Sequence, residues 1–401
     1  MKIAYFSYYV GKEFTKRHCK GKQYALSGTL KSQGIARALM AVGNSVVIYS
    51  PGVLSCGARI PAFSEVESYP EGNLTIKYPR VFSYTGCSII NIQLIRRLIA
   101  RDLNHESYDA FVYYNIESGS YALIDLFKNS LRVLEYEDNI FNQPYESRFS
   151  KLNLWWRKVI FKYVMSKTDA ALVVCNGMVN QLNNIPSALT PGIINNDVTN
   201  NITQKQNNIT DKPYVNLVLT GGLFYGKGAD LLIKAMSYIN IPCKVELFSN
   251  EPLPAELAHD IEMVPKQHVI NINGYLPHEE LIKFLDNNAD ILINTTRNLK
   301  VEAQAAGFPF KMMEYASTGR PIVSSEIGKL DDEYNSHITY YESEDPKSIA
   351  AAIEEVIQNY NTKVQEALKL QKRVLVEYTI EGTGKKLNSF FKKIQTDEYK
   401  K

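Results

Sequence analysis

The sequence predicts an α/β chain built as two doubly wound halves, each a parallel sheet with helices on both faces, and three observations carry that expectation. Its 401 residues exceed what one ordinary core organises and suit two domains of about 150–200 residues. Short apolar strands alternate with segments of helical periodicity, the order that builds parallel sheets. A polar stretch rich in Asn, Thr and Gln, from Asn195 to Pro213, separates one run of such units from another. Two halves of this kind leave a cleft between sheets, where ligands of open α/β folds bind.

The first run opens with a strand over residues 2–9, followed by a loop punctuated by Gly11, Gly21 and Gly28. A helix over 31–42 follows, with Ile35, Leu39 and Val42 at helical spacing, and Gly43-Asn44 stops it. Strands are expected at 45–49, 110–114, 131–136 and 170–174. After the polar stretch, strands at 215–219, 245–248, 270–272, 290–293 and 321–323 alternate with helices at 231–238, 279–287 and 310–317. The domains are therefore read as 1–195 and 214–382, with 196–213 as linker.

Composition narrows the class. The chain is 45% hydrophobic and 22% charged, a globular balance. No apolar run reaches the length of a membrane span. The opening Met1–Tyr9 reads as a strand and not as a signal peptide. Five scattered cysteines with no C-x-x-C pair argue against a disulfide framework or a zinc cluster and suit a reducing cytoplasm. The sequons at Asn73, Asn201 and Asn208 carry no weight without a secretory signal. Residues 1–200 hold 22 Lys/Arg against 15 Asp/Glu, and the remainder 23 against 27. A basic first half suits an anionic partner, a membrane surface or a phosphorylated substrate, although an ordinary solvated surface has the same signature.

Two segments of the second half carry chemistry. Thr220-Gly221-Gly222-Leu223-Phe224-Tyr225-Gly226-Lys227-Gly228 lies between a strand and a helix. It nearly matches G-x-x-x-x-G-K-[ST], but Gly228 stands where a hydroxyl would hold magnesium. Glycines that let the backbone approach an anion, with Lys227 adding charge, remain as physics; a glycine turn with a solvent lysine is the alternative. The second segment runs from Gly307 to Pro321. Pro309 suits the first helical position, and Gly319 with Pro321 closes the helix. Lys311 then sits in the first turn, where the helix dipole disfavours a cation by about 0.3–1 kcal/mol, a placement an intervening anion would justify. Glu314 is one turn on, where a carboxylate can bind two adjacent hydroxyls such as a ribose diol. A plain Lys311–Glu314 ion pair is the alternative. Phe310, Met312 and Met313 are expected to pack a core.

With these motifs the sequence resembles the family 4 (group 1) glycosyltransferases, retaining enzymes of GT-B fold that use nucleotide-sugar donors. The likeness is strongest at Gly221-Gly222-Leu223 with Lys227-Gly228 and Leu231–Ala235, at Gly274-Tyr275-Leu276-Pro277-His278-Glu279-Glu280-Leu281, and at Phe308–Val323. It implies a first domain that binds acceptor, a second that binds the donor, and a terminal helix, 383–401, that crosses back to the first. It also implies that Lys227 contacts the donor diphosphate, Glu314 the ribose, the backbone around Phe308, Pro309 and Phe310 the sugar and phosphates, and Gly274-Tyr275 the base. Two positions depart from the family. Gly222 stands where an arginine is frequent, and Ala306 where the first glutamate of E-x7-E belongs. Lys311 is expected to supply the charge missing at Gly222.

GT-B enzymes of this kind need no metal, because helix termini and lysines stabilise the departing nucleotide diphosphate; the chain has no D-x-D. No cofactor is implied, only a UDP- or GDP-sugar as substrate. The acidic run Glu135-Tyr136-Glu137-Asp138 ends a strand of the first half, and the resemblance assigns Glu137 or Asp138 a hydrogen bond to the transferred sugar; an acidic loop or helix cap is the alternative. The segments Ile89–Arg101 and Leu152–Lys162, the latter with Trp155 and Trp156, could rest on anionic lipid or be core-packed helices. The combined expectation is a cytoplasmic, metal-independent hexosyltransferase, at the cytoplasmic face of the inner membrane. It would transfer sugar to a hydroxyl of a glycan or lipid-linked saccharide during synthesis of a bacterial surface polysaccharide (O-antigen, capsule or exopolysaccharide), with no nucleic acid partner. A nucleotide-sugar epimerase of the same architecture and a non-catalytic nucleotide-sugar-binding subunit remain the competing readings.

Overall fold

The strands of both halves are near-continuous apolar runs, as strands covered on both faces must be, and they assemble into two sheets in a computed structural model. The residues described are 1–18, 27–52, 64–69, 73–80, 89–116, 118–138, 150–182, 184–194, 209, 212–223, 225–297, 308–327, 329–342 and 344–396. Of the expected linker, only Ile209, Lys212 and Pro213 fall among them; Gly21, Phe224, Ala306 and Gly307 fall outside. The chain divides into two compact units, Met1–Ile193 with Tyr378–Lys401, and Ile194–Glu377.

The first unit holds an eight-stranded sheet. Its strands are β1 (Lys2–Phe6), β2 (Ser45–Tyr49), β3 (Glu65–Tyr69), β4 (Leu74–Tyr78), β5 (Ala110–Tyr114), β6 (Leu131–Tyr136), β7 (Ala170–Val173) and β8 (Ser187–Leu189). Their order is β3-β4-β2-β1-β5-β6-β7-β8. Every pairing is parallel except β3 with β4. That edge pair was not expected. Its outer strand is mostly solvated, so the apolar run that marks the other strands is missing.

Helix Ser27–Ala41 buries Ile35, Ala38 and Leu39 beneath the sheet. The terminal helix Ile380–Gln395 lies along it, with Leu387 and Phe391 fully buried. The approach is close enough that a Cβ on Gly384 would sit 2.1 Å from the Ala38 carbonyl oxygen. Helix Ile89–Leu103 turns Ile92, Ile95, Leu98 and Ile99 into the core, so its apolar face is spent on packing and not offered to lipid. Among the described residues no helix is long and apolar enough to cross a membrane.

The second unit holds a six-stranded sheet of β9 (Val215–Thr220), β10 (Cys243–Phe248), β11 (Val269–Asn273), β12 (Ile291–Asn294), β13 (Ile322–Ser324) and β14 (Thr339–Tyr340). The order is β11-β10-β9-β12-β13-β14, parallel throughout. The neighbours β9 and β12 are not consecutive in sequence, so the strand order reverses there. This is the switch point at which open parallel sheets place their ligands. Helices Pro346–Gln358 and Tyr360–Glu377 complete the unit.

Candidate functional site

At the carboxyl end of β9 the backbone turns through Gly221, with φ +117°, and enters a single 3₁₀ turn, Tyr225–Lys227. Gly228 follows in the left-handed region. A Cβ there would stand 2.0 Å from the Thr295 carbonyl oxygen, so glycine is required on two counts. The segment after β12 grips this turn. Thr295 Oγ1 donates to the Lys227 carbonyl at 3.0 Å. The Arg297 amide donates to the Gly226 carbonyl at 2.9 Å. The Arg297 guanidinium makes two bonds to Asp230, at 2.6 and 2.7 Å, and one to the Tyr225 carbonyl at 2.7 Å. It also stacks on the Tyr225 ring, 3.8 Å from its centroid. Sequence reasoning missed Arg297, because nothing local marks a residue after β12 as the clamp of a loop some 70 positions earlier.

Helix Lys311–Thr318 meets the same strand end. The Tyr315 hydroxyl accepts from the Thr220 amide at 2.9 Å, and Lys311 Nζ donates to the Thr220 carbonyl at 3.2 Å. The two side chains are four apart, on one helix face, so both fasten the helix to β9. The helix begins one residue later than expected. Pro309 is not its first residue but precedes it by two, and its carbonyl accepts the first turn bond, from Met312. Gly319 ends the helix in the left-handed conformation. Met312 and Met313 are buried and Phe308 packs on Tyr334, but Phe310 is only half-buried and not a core residue.

Lys227 and Lys311 converge here. The Lys311 ammonium titrates at about 7, chiefly because it is desolvated and next because the Lys227 charge repels it; Glu314 acts in the opposite sense. Glu314 does not form the Lys311 ion pair held open by the sequence. Its carboxylate meets His278 Nε2 at 2.7 Å, across the packed helices His278–Asn288 and Lys311–Thr318. That hydrogen bond raises the His278 pKa, against the effect of its partial burial. Tyr275 lies three residues before His278 with 68% of its surface exposed. Gly274 is exposed and Gly222 half-buried. The second unit therefore gathers Gly221, Gly222, Lys227, Lys311 and Glu314 around the β9 terminus, with His278 as a partner the sequence did not single out.

In the first unit, Glu137 and Asp138 lie just past β6, on a turn moulded by Asn115. That residue has φ +53°. Its Oδ1 accepts from the Glu137 and Asp138 amides at 2.8 and 3.0 Å, while its Nδ2 donates to Asp138 Oδ2 at 3.1 Å. The Lys31 ammonium, only 5% exposed, lies 2.8 Å from Glu137 Oε1. Burial, and then the Glu137 charge, raise the Asp138 pKa; its bond from Asn115 opposes them.

Two parallel-stranded sheets of this order, each with ionisable groups at its carboxyl end, define a GT-B fold, and solved structures agree. A sucrose-phosphate synthase from Thermosynechococcus elongatus superposes with TM-score 0.67 at 14% identity, covering 99% of both chains. The trehalose-6-phosphate synthase OtsA gives 0.65 at 11% identity, covering 98% of this chain and 99% of that one. The catalytic domain of starch synthase IV from Arabidopsis thaliana, bound to ADP and acarbose, gives 0.64 at 10% identity, covering 98% and 99%. At such identities the likeness is one of fold. Residues 215–359, all within the second unit, match the family model "Glycosyl transferases group 1". No curated protein matches the chain significantly in sequence.

Proposed function

We propose that the protein transfers a sugar, with retention of anomeric configuration, from a UDP- or GDP-sugar to a hydroxyl of a glycan or lipid-linked saccharide, as a step in building a bacterial surface polysaccharide. One observation carries the donor half of this reading. Inside the matched domain, two lysines from different segments stand close enough to repel, with a carboxylate one helical turn from one of them. Holding two ammonium groups together is unfavourable until an anion lies between them, and a diphosphate supplies two charges there. Glu314 is then placed to take the ribose diol, and Tyr275 to stack on the base.

On departure of the nucleoside diphosphate, Lys227 and Lys311 stabilise the charge that develops, without a resident metal or cofactor in the proposed chemistry. Glu137 and Asp138 hydrogen-bond the transferred sugar. A trehalose-6-phosphate synthase among the structural neighbours is described as transferring with retention, which supports the stereochemical assignment.

The excess of Lys/Arg in residues 1–200 supports an anionic acceptor, such as a saccharide on a lipid diphosphate. Helix Ser150–Met165 supports action at the cytoplasmic face of the inner membrane. Trp155 and Trp156 on it are 58% and 43% exposed beside Arg157 and Lys158, a pairing suited to an anionic headgroup layer.

The test is a thermal-shift screen against UDP-, GDP-, ADP- and CMP-sugars, followed by product analysis with and without acceptor. Stabilisation by one class of donor, with sugar appearing on the acceptor, is the expected result. Epimerised donor formed without acceptor supports the epimerase reading instead. Binding with no turnover on any acceptor supports a non-catalytic subunit.

A further inference from the structure

Glu135 ends β6 fully buried, two residues before Glu137. Its Oε2 accepts from the Tyr5 hydroxyl. Its Oε1 has no hydrogen-bond partner among the described residues, and Glu137 Oε1 has none either. The Lys31 contact to the latter is one of charge. Glu137 Oε1 keeps the Lys31 ammonium at 2.8 Å, whereas Glu135 Oε1, on a fully buried side chain, is left without a partner, which costs about 1–3 kcal/mol or more when charged. Glu137 acts on the buried Glu135 carboxyl through its charge and as a hydrogen-bond partner, both favouring the protonated form, and one proton between them gives Glu135 Oε1 its partner.

We propose that Glu135 and Glu137 share a single proton between their Oε1 atoms. In this arrangement Glu135 and Lys31 are positioning residues that fix Glu137, leaving its Oε2 as the oxygen that accepts a sugar hydroxyl. The second part rests on the reading of Glu137 as a sugar-contacting residue; the first does not.

The surroundings agree from every side. Helix Ser27–Ala41 contributes Lys31 and also Ser32, whose hydroxyl bonds to Tyr5. A chain therefore runs from Ser32 through Tyr5 and Glu135 to Glu137. Burial keeps the Tyr5 hydroxyl protonated far into the alkaline range, so it donates to Glu135. Burial, and next the charge of Glu137, push the Glu135 pKa well above the ordinary carboxylate value, against the opposing pull of Lys31. Asp138 and Asn115 face the pair from the turn after β6 and the end of β5. Cys175, after β7, senses the Lys31 charge. Glu137 Oε2 takes a long 3.3 Å bond from the Tyr114 hydroxyl, the kind of contact a substrate hydroxyl can supplement. Coupled in this way, the pair carries one negative charge, which Lys31 balances.

The test has two arms. Infrared difference spectra of the full chain, wild type against Glu135→Gln at neutral pH and without ligand, are expected to show a neutral carboxylic acid band lost in the variant. Its absence overturns the shared proton, whatever the function. In the second arm, turnover is measured with the nucleotide-sugar that gives the largest melting shift. Lys31→Met is expected to lower kcat about tenfold with donor KM unchanged, and Lys31→Arg to restore part of the loss. Wild-type kcat is expected to fall at alkaline pH as the shared proton is lost, and that fall is expected to vanish in Glu135→Gln. Unaltered kcat in Lys31→Met, or a retained alkaline limb in Glu135→Gln, overturns the positioning role. Full activity in Glu137→Gln instead overturns the assignment of Glu137 itself, a separate failure that leaves the infrared result standing.

Discussion

If a diphosphate lies between Lys227 and Lys311, its binding carries a proton into the protein. Lys311 titrates at about 7 in the free protein, against an ordinary value of 10.5. At pH 8 it is therefore about nine-tenths neutral, and at pH 6 about one-tenth. Two phosphate groups at the ammonium oppose both causes of the depression, burial and the Lys227 charge, and return the pKa toward its ordinary range. Uptake is then about 0.9 proton at pH 8 and about 0.1 at pH 6, and affinity weakens by up to about tenfold per pH unit above 7. The assay is calorimetric titration of UDP, or whichever nucleoside diphosphate stabilises the protein, in two buffers of different ionisation enthalpy. The difference in observed enthalpy gives the protons exchanged. His278 does not mimic the result. Ribose hydroxyls competing for Glu314 weaken the bond that raises the His278 pKa, which releases a proton instead of taking one up. Lys311→Met should abolish the uptake. Tight binding without uptake at pH 8, or the same uptake in Lys311→Met, refutes the placement of the anion.

Lys227→Ala and Lys311→Ala should each weaken donor binding about 10–100-fold, as loss of a charged hydrogen bond does; calorimetry showing Lys311→Ala unaffected while Lys227→Ala abolishes binding removes Lys311 from the site. Gly228→Ala should destabilise the second unit by about 1–3 kcal/mol and lower its melting temperature, because the added Cβ meets the Thr295 carbonyl in a conformation only glycine adopts readily. Glu135 has a folded-state pKa raised above the unfolded value of 4.5. The folded chain therefore keeps a proton that the unfolded chain releases, and stability declines as pH rises from 4.5 toward the folded pKa. Glu135→Gln should gain stability relative to wild type progressively across that window in denaturant titrations at stepped pH, and a pH-independent difference refutes the assignment.

The parallel sheets were legible because burial on both faces writes itself into sequence as short apolar runs. Leu217, Val218 and Leu219 in β9, or Val112 and Tyr113 in β5, are fully buried, and their strands match the expected spans closely. What escaped was structure that lacks that signature. The β3 strand has only Glu67 well buried, held by amides of helix Lys12–His18 and by the Tyr69 and Tyr78 hydroxyls, and β14 is two residues long. At the site, residues whose chemistry is local were visible. Lys311 was singled out because a cation at a helix start is anomalous, and Gly228 because it breaks a loop pattern. Residues whose meaning is tertiary were not. His278, Arg297 and Lys31 act through partners 36, 67 and 106 positions away, and no periodicity or spacing encodes such meetings.

The two units resolve the same electrostatic difficulty with opposite signs. Beside β9 two cations converge, and burial with mutual repulsion drives Lys311 toward its neutral form. Beside β6 two carboxyls converge, and burial with mutual repulsion drives Glu135 toward its neutral form. A purely structural network has a cheaper course, since a buried polar pair of no chemical use can be replaced by apolar side chains at little cost and often some gain. Like charges brought together at the carboxyl end of a parallel sheet, and kept there by dedicated clamps such as Tyr315 and Asn115, cost stability in the free protein. On the proposed reading that cost is offset by a ligand of the opposite character, an anion at the lysines and a hydroxyl-rich sugar at the carboxyls. The strain therefore predicts the order of sensitivity. Charge-neutral replacements at Lys311 or Glu135 should stabilise the free protein while reducing what ligand binding adds to its stability, the reverse of what a residue kept only for folding would do.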